Sequence, residues 1–361
     1  MSHCDTPLRN GAWRSLAARL LWEQEVAGSN PAAPTTTSAG TIARMPTALT
    51  SAAALIIALI VTPIVRIYGH RFGLLDEPGG RKVHAVPVPR LGGIAMAIAF
   101  GIAIGLAALF SNDLGATLGL RPNRAPAILA GVSLLLVVGI IDDTRGMRAF
   151  VKLGFQVGAA VLAWALGLSL ERLHLPWAIV ELGPLALPIT VAWIVGVINA
   201  VNLIDGLDGL ASAVVLTVLG AFGLIAVADG ADPTLYITAA AAGAAAGFLA
   251  YNLHPASIIM GDTGAMFLGF IVAAIGIALT QDGVAPQPPW VPIIALGLPI
   301  LDTTWAVIRR TAAGEPFYRA DRGHIHHQLL QMGFSQRDAM LSLTAVSGAM
   351  AIIAVVLGRL G

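Results

Sequence analysis

The sequence predicts an all-α, polytopic integral membrane protein with about ten transmembrane helices. Of its 361 residues, 57% are hydrophobic and 11% are charged, whereas soluble domains carry about 25% charged residues. Apolar runs of about 20 residues, the length at which a helix crosses a bilayer, recur between short polar loops. No loop is long enough to fold as a soluble domain. The composition therefore excludes a soluble protein, and we expect no nucleic-acid partner.

The predicted spans run in order from residue 48 to residue 359. They lie at roughly 48–68, 91–110, 126–142, 150–169, 187–204, 209–228, 234–251, 263–280, 291–309 and 339–359. Residues 1–44 differ from the rest, because they hold the only cysteine and the low-complexity stretch NPAAPTTTSAG. We expect Met45 to be the true start, residues 1–44 to be a disordered or untranslated extension, and residues 46–361 to form one transmembrane domain.

The distribution of Lys and Arg predicts the orientation in the membrane. With the N-terminus outside, the loops of one side carry thirteen of these residues, and the other side carries four from Met45 onward. The richer side is expected to face the cytoplasm. Every dense polar cluster falls on that side, and the clusters are DEPGGRKVHAVPVPR, DDTRGMR, NLIDGLDG, NLHPASIIMGDTG and EPFYRADRGHIHHQL. One face of the protein is therefore predicted to hold the chemistry.

Five aspartates stand out in these clusters. They are Asp142, Asp143, Asp205, Asp208 and Asp262. A charge at the bilayer centre costs about 2.5–3.5 kcal/mol, so these acids must lie near the interface, face a polar cleft or hold a cation. Carboxylates converging from three loops suit a hard divalent ion such as Mg²⁺, which also takes phosphate oxygens and water. The alternative for each acid alone is a helix cap or a solvated loop residue.

The stretch INAVNLIDGLDGLA holds a polar face among apolar residues. On a helix or a helix end, Asn202, Asp205 and Asp208 at i, i+3 and i+6 share one side. That side could hydrogen-bond a planar base or a ribose, while Gly206 and Gly209 let the ligand approach. It could equally be a polar seam between packed membrane helices.

Three further features remain, of which the adjacent acids alone carry a weak signal and the histidine tract carries a stronger one. The adjacent acids Asp142 and Asp143 point in different directions on any helix, so one can face a metal and the other a basic residue or a second substrate. The tract DRGHIHHQL combines arginine and histidine, which suits phosphate oxygens, although it could also be a positively charged anchor. Asp302 lies inside the ninth predicted span as a functional candidate or as a partner of Arg309.

The motifs resemble the polyprenyl-phosphate N-acetylhexosamine-1-phosphate transferases, integral membrane enzymes that begin the assembly of lipid-linked glycans. The resemblance covers about residues 46–335. It depends on five ordered motifs, DEPGGRKVHAVPVPRLGG, DDTRG, NAVNLIDGLDGLA, NLHPASIIMGDTGAMFLG and DRGHIHHQLLQMGFS. The reading HIHH places the chain nearer the N-acetylglucosamine-1-phosphate branch than the peptidoglycan translocase branch.

The resemblance implies a role for each motif. It implies Asp262 as a magnesium ligand with Asp143 or Asp142 beside it, one of this pair acting on the lipid phosphate. Asn202, Asp205 and Asp208 would line the nucleotide-sugar site, with Asp142, Asp143, Asp205 and Asp208 as the catalytic acids. The remaining implied substrate-binding residues are Arg90, Asn252 at the uridine, Arg322, His324, His326 and His327.

The implied reaction joins UDP-N-acetylhexosamine, expected to be UDP-GlcNAc, to undecaprenyl or decaprenyl phosphate and releases UMP. The expected cofactor is Mg²⁺, with Mn²⁺ as a substitute, and the expected location is a bacterial inner membrane with the site facing the cytoplasm. The alternatives are the phospho-N-acetylmuramoyl-pentapeptide translocase and, from another class, a secondary transporter. A covalent aspartyl-phosphate route and a homodimer both stay open.

Overall fold

The fold was analysed in a computed structural model, which describes residues 36–76, 87–110, 124–230, 232–282, 285–316 and 323–360. The chain divides into Met1–Met45 and Pro46–Gly361, and the description below concerns the second unit. That Met45 is the true start stays a prediction.

The described chain is almost entirely helical. Its helices are α1 Thr36–Arg71, α2 Gly92–Phe110, α3 Arg124–Arg145, α4 Ala149–Ala165, α5 Ala186–Ile204, α6 Leu210–Asp229, α7 Asp232–Asn252, α8 Gly261–Gln281, α9 Trp290–Ala295, α10 Gly297–Ala312, α11 Ile325–Gln331 and α12 Gln336–Leu360. Within the described ranges, eight of these helices are long and apolar enough to cross a membrane, and α4 is a shorter apolar helix. The prediction of an all-α polytopic membrane protein is confirmed.

The predicted span at 291–309 is divided into two helices, α9 and α10, on either side of Leu296. Pro299 has no N–H and cannot bond to the carbonyl of Ala295, four residues earlier, so the helix is interrupted there. The expectation of one continuous helix was wrong at this point. Helix α10 carries Asp302 and Arg310 on its buried side.

Helix α8 is the centre of the bundle. Every residue from Thr263 to Thr280 is buried, and α8 packs against α2, α3, α5 and α6. A membrane helix that contacts protein on all sides has no lipid-facing surface, so its two ends are fixed by their neighbours. The first turn of α8, which carries Asp262, is therefore held in a defined position.

Two short antiparallel ribbons complete the described fold. In the first, β1 Leu75–Asp76 pairs with β2 Val88–Pro89. In the second, β3 Arg172–Leu175 pairs with β4 Ala178–Glu181. The chain after β2 bonds to the segment that precedes α8, since Gly92 N–H donates to Ile259 O at 3.0 Å. The first ribbon therefore lies at the α8 end that carries Asp262, and Gln281 hydrogen-bonds the second ribbon at the other end.

Candidate active site

The polar motifs, which are far apart in sequence, meet at one end of the bundle. Asp143 of α3 accepts hydrogen bonds from the start of α8, and Asn202 of α5 donates to Asp262 of α8 at 2.6 Å. Asp208 lies 2.8 Å from His254 Nδ1. We call Asp142, Asp143, Asp205, Asp208 and Asp262 the carboxylate cluster. The arrangement required for the predicted site, with acids from separate loops close together, is present.

Asp143 fixes the start of α8. Its Oδ1 accepts from the Asp262 N–H at 2.8 Å, and its Oδ2 accepts from the Thr263 N–H at 2.9 Å and the Thr263 hydroxyl at 2.6 Å. These donors belong to the first turn of a helix, where backbone N–H groups have no partner within the helix. Gly261 adopts φ 70°, and a Cβ there would lie 2.7 Å from Asp143 Oδ2. The Gly-Asp sequence thus allows the carboxylate to reach the helix end.

Asp142 points the other way, as expected for adjacent residues on a helix. Its Oδ2 lies 3.0 Å from Lys152 Nζ, and the same ammonium contacts Asp262 Oδ1. Two carboxylates therefore share one cation. Asp142 Oδ1 accepts from the Met147 N–H at 2.7 Å, so both oxygens of Asp142, like those of Asp143, are engaged by the protein. The metal-ligand role expected for Asp143 stays a prediction, and the shared contact with Lys152 makes Asp142 a second candidate beside Asp262. The catalytic role of Asp143 stays a prediction.

Lys152 was not among the predicted site residues and is one of the thirteen Lys and Arg residues of the side expected to face the cytoplasm. Lys152 lies in the first turn of α4, where the helix dipole disfavours a cation. A lysine in that position needs a nearby anion, and the acids of DDTRG precede it by about ten residues. This conflict between charge and helix position is the signal that could have identified it.

The stretch at 205–209 forms a turn between α5 and α6, and Asp205 is the residue that ends α5. The expectation that Asn202, Asp205 and Asp208 share one helix face was therefore wrong for the two acids, which lie in the turn. Burial, and after it the charges of Asp262, Asp143 and Asp208, raise the pKa of Asp205 to about 8. Asp205 is therefore mostly protonated near pH 7.

Asp208 organises the loop that leads into α8. Its Oδ2 accepts from His254 Nδ1 at 2.8 Å and from the Ala256 N–H at 3.1 Å. Asn252 is buried, donating to Ile258 O at 3.0 Å and accepting from the Ser212 hydroxyl at 3.3 Å. Both residues shape the loop, and the substrate roles implied for them stay predictions.

The three histidines of the tract have different surroundings. His324 is buried between Asp302 and Arg310, and His326 is buried with neither ring nitrogen partnered among the described residues. His327 is half-buried, with its ring 4.3 Å from that of His326. Burial, and next the neighbouring His327, lower the pKa of His326 to about 4, so its ring is neutral near pH 7. A neutral imidazole can both donate and accept a hydrogen bond.

His326 lies directly against the turn that carries Asp205. A Cβ added to Gly206 would collide with the His326 ring, so glycine is required for this approach. Arg90 lies at the edge of the same region, where its Nε is 3.2 Å from Asp76 Oδ1 and its carbonyl adjoins Gly261. Arg322, the remaining predicted binding residue, lies outside the described residues.

The oxygen atoms of Asp142 and Asp262 fit a hard divalent cation. Both carboxylates already contact a single positive group, Lys152, which shows that they are close enough to share one ion. Within the part of the chain that the structure describes, no three His, Cys, Asp or Glu side chains form a closed metal site. Mg²⁺ is usually held by one or two carboxylates with substrate phosphates and water. An incomplete protein site of this kind therefore suits it.

Comparison with known proteins gives consistent matches. The sequence profile of glycosyl transferase family 4 matches residues 125–280, which contain the whole carboxylate cluster. The Bacillus subtilis protein named "Probable undecaprenyl-phosphate N-acetylglucosaminyl 1-phosphate transferase" is 37% identical over 84% of this chain and 82% of its own length. The chain belongs to the polyprenyl-phosphate N-acetylhexosamine-1-phosphate transferase family.

Other members of the family extend the match. The decaprenyl-phosphate N-acetylglucosaminephosphotransferase of Mycolicibacterium smegmatis is 34% identical over 81% of this chain and 78% of its own. The undecaprenyl-phosphate alpha-N-acetylglucosaminyl 1-phosphate transferase of Haemophilus influenzae is 29% identical over 82% and 83%. The resemblance inferred from the five motifs is confirmed. These relatives do not favour the translocase alternative, and membership of a transferase family speaks against a secondary transporter.

Proposed function

We propose that this protein transfers N-acetylglucosamine 1-phosphate from UDP-N-acetylglucosamine to a polyprenyl phosphate and releases UMP. The observation that carries the proposal is the carboxylate cluster, assembled around Lys152 at one end of a membrane bundle. The names of the relatives support both the sugar and the acceptor class, with undecaprenyl in one group and decaprenyl in another. A glycan-initiating membrane enzyme also explains why such a site belongs beside lipid.

The reaction proceeds in this proposal as one in-line displacement. An oxygen of the lipid phosphate attacks the phosphorus that bears the sugar, and the bond from that phosphorus to the bridging oxygen breaks. The bridging oxygen and its electron pair leave with UMP. The attacking phosphate is already an anion near neutral pH, so a general base adds little, and the main obstacle is repulsion between two anionic substrates.

The residues around the cluster address that obstacle. Lys152 provides positive charge between Asp142 and Asp262. Asn202 holds Asp262 through a 2.6 Å hydrogen bond, and Asp143 holds the helix turn from which Asp262 projects. His326 offers a neutral ring beside the 205–208 turn. Together these groups orient the donor pyrophosphate and reduce the reorganisation that the reaction requires.

A divalent cation belongs to this proposal, with Mg²⁺ preferred and Mn²⁺ as a substitute. Asp262 and Asp142 would hold it, and substrate phosphates and water would complete its ligands. When bound, it neutralises phosphate charge and stabilises the leaving group. Even with Asp205 protonated near pH 7, the other carboxylates of the cluster outnumber the ammonium of Lys152, which favours an additional cation.

The location follows from the substrates and from the charge distribution. A nucleotide sugar is water-soluble and a polyprenyl phosphate is held in the bilayer, so the site needs access to both. The carboxylate cluster lies at the end of the bundle with Arg145, Arg148 and Lys152, which the positive-inside rule assigns to the cytoplasm. We propose a bacterial inner membrane protein whose site opens to the cytoplasm.

The test uses the full-length protein purified in detergent with undecaprenyl phosphate and a panel of UDP-sugars. We expect UMP release with UDP-GlcNAc, loss of release on EDTA treatment, and recovery on addition of Mg²⁺ or Mn²⁺. The melting temperature measured with EDTA serves as the control for unfolding. Absence of UMP release with every UDP-N-acetylhexosamine at saturating Mg²⁺ would overturn the proposal, and full activity in EDTA would remove the cation from it.

A further inference from the structure

Helix α10 makes several polar contacts with Gly323, His324 and Ile325, at the start of the histidine tract. Asp302 Oδ2 lies 2.8 Å from His324 Nδ1, and Asp302 Oδ1 accepts from the Ile325 N–H at 2.9 Å. Arg310 Nη2 lies 3.2 Å from His324 Nε2. Arg309 Nη1 donates to Gly323 O at 2.9 Å. We call Asp302, Arg309 and Arg310 the α10 clamp.

The contacts of the α10 clamp determine which ring nitrogen of His324 carries the hydrogen. Arginine can only donate, so His324 Nε2 must accept, and Nδ1 therefore carries the hydrogen that is donated to Asp302. Asp302, His324 and Arg310 are all buried. Both ring nitrogens of His324 are thus engaged by the protein. This residue has no ring nitrogen left over for a substrate oxygen.

His326 is in the opposite situation. It is 1% exposed, and neither of its ring nitrogens has a partner among the described residues. Its ring is stacked on that of His324, with centroids 5.8 Å apart and planes 8° apart, and it faces Gly206. A buried polar group without a partner is costly unless a ligand or water completes it. The position of this ring depends on the ring of His324.

We propose that Asp302 is a positioning residue for the sugar-nucleotide donor, and that it acts through His324 to place the His326 ring beside the 205–208 turn. This inference rests on the proposed function. It gives the histidines of one tract different roles, with His324 as a support and His326 as the group offered to the donor. It also gives the buried acid Asp302 a role that requires neither a metal nor a proton path.

The experiment compares three variants in the UMP-release assay, with KM and kcat measured separately for the donor and the acceptor. Asp302→Asn cannot accept both hydrogen bonds, so we expect the donor KM to rise about tenfold through misplacement of His326. His324→Asn removes the ring on which His326 is stacked, so its donor KM should also rise about tenfold. His326→Asn should raise the donor KM at least as much as Asp302→Asn. The KM for polyprenyl phosphate should stay the same in all three.

Melting temperatures identify any variant that fails to fold, and His324→Asn tests the inference independently of Asp302→Asn. A near-normal donor KM in His324→Asn would show that Asp302 does not act through His324 and would overturn the proposal. A normal donor KM in Asp302→Asn, or equal changes for donor and acceptor, would also overturn it. Failure of the proposed function would appear in the wild-type protein, as absence of UMP release, and is thus separate.

Discussion

The two ends of α8 carry similar ion pairs in different surroundings. Asp262 in its first turn contacts Lys152, and Asp282, directly after its last residue, lies 3.1 Å from Arg124. The Asp262 side chain is 23% exposed and that of Asp282 is 43% exposed. An ion pair at a helix end therefore does not by itself indicate a functional site, because both ends of α8 have one.

The difference lies in the balance of charge around each pair. At the Asp262 end, five aspartates converge. Asp205 is mostly protonated near pH 7, because its pKa is raised to about 8, and the four others still outnumber Lys152. At the Asp282 end, Arg124 and Arg172 accompany Asp282, Glu171 and Glu181, so the charges nearly cancel. Excess negative charge that the protein leaves uncompensated is what a cation and a cation-assisted reaction require. This contrast can be tested by matched substitutions at the two ends.

The largest effect is expected from Asp262→Asn, with Asp282→Asn as its matched control on the same helix. Asp262→Asn removes a proposed metal ligand and the partner of Lys152, so kcat/KM should fall by about three orders of magnitude or more at any Mg²⁺ concentration. Asp282→Asn should change activity by less than about twofold. UMP release is measured across a Mg²⁺ titration. Near-normal activity of Asp262→Asn would remove this residue from the site.

A smaller but still large effect is expected from Lys152→Gln compared with Arg124→Gln, its counterpart at the other end of α8. The ammonium of Lys152 is proposed to oppose anion repulsion, so its loss should lower kcat about a hundredfold at saturating donor. Arg124→Gln should leave kcat close to that of the wild type. Single-turnover measurements at saturating donor separate this effect from weaker binding. An equal loss in the two variants would show that the ends of α8 do not differ in the way we infer.

Much of the fold could be predicted because it depends on local sequence. The apolar runs gave the helices, and the polar clusters at their ends gave the residues that converge. The break at Leu296 could also have been predicted locally, because Pro299 cannot donate the helix hydrogen bond to Ala295 O. The identity of α8 as the central helix could not be predicted, because its hydropathy resembles that of its neighbours and only packing distinguishes a helix surrounded by protein from one facing lipid.

The candidate site was harder to predict because its contacts are distant in sequence. Lys152 and Asp262 are 110 residues apart, and Asp143 is 120 residues from Thr263. Sequence chemistry could select the acids, but it could not tell that Asp143 caps α8 while Asp142 faces Lys152. Likewise His324 and His326 are two residues apart and chemically identical, and only the structure shows that His324 hydrogen-bonds Asp302 and Arg310 of α10.

An effect on stability more than on chemistry is expected from Asp143→Asn. The carboxylate accepts three hydrogen bonds at the start of α8, and an amide would turn an N–H toward at least one of those donors. The free energy of unfolding should fall by about 2–3 kcal/mol, compared with about 1 kcal/mol for Thr263→Val, which removes only the hydroxyl bond. Thermal unfolding in one fixed detergent provides the measurement. Equal melting temperatures for Asp143→Asn and the wild type would contradict the capping role.

The smallest effect is expected at the second ribbon. Glu181 pairs with Arg172 at 3.4 Å, but the two side chains are 73% and 56% exposed, so water screens their attraction. Gln281 instead makes three hydrogen bonds to the backbone of this segment, two through its oxygen and one through its amide nitrogen. Glu181→Gln should therefore leave both melting temperature and UMP release unchanged, whereas Gln281→Leu should lower the melting temperature with activity retained. Loss of activity in Glu181→Gln would mean that the ribbon end takes part in the reaction, and the contrast between the two ends of α8 would no longer identify the site.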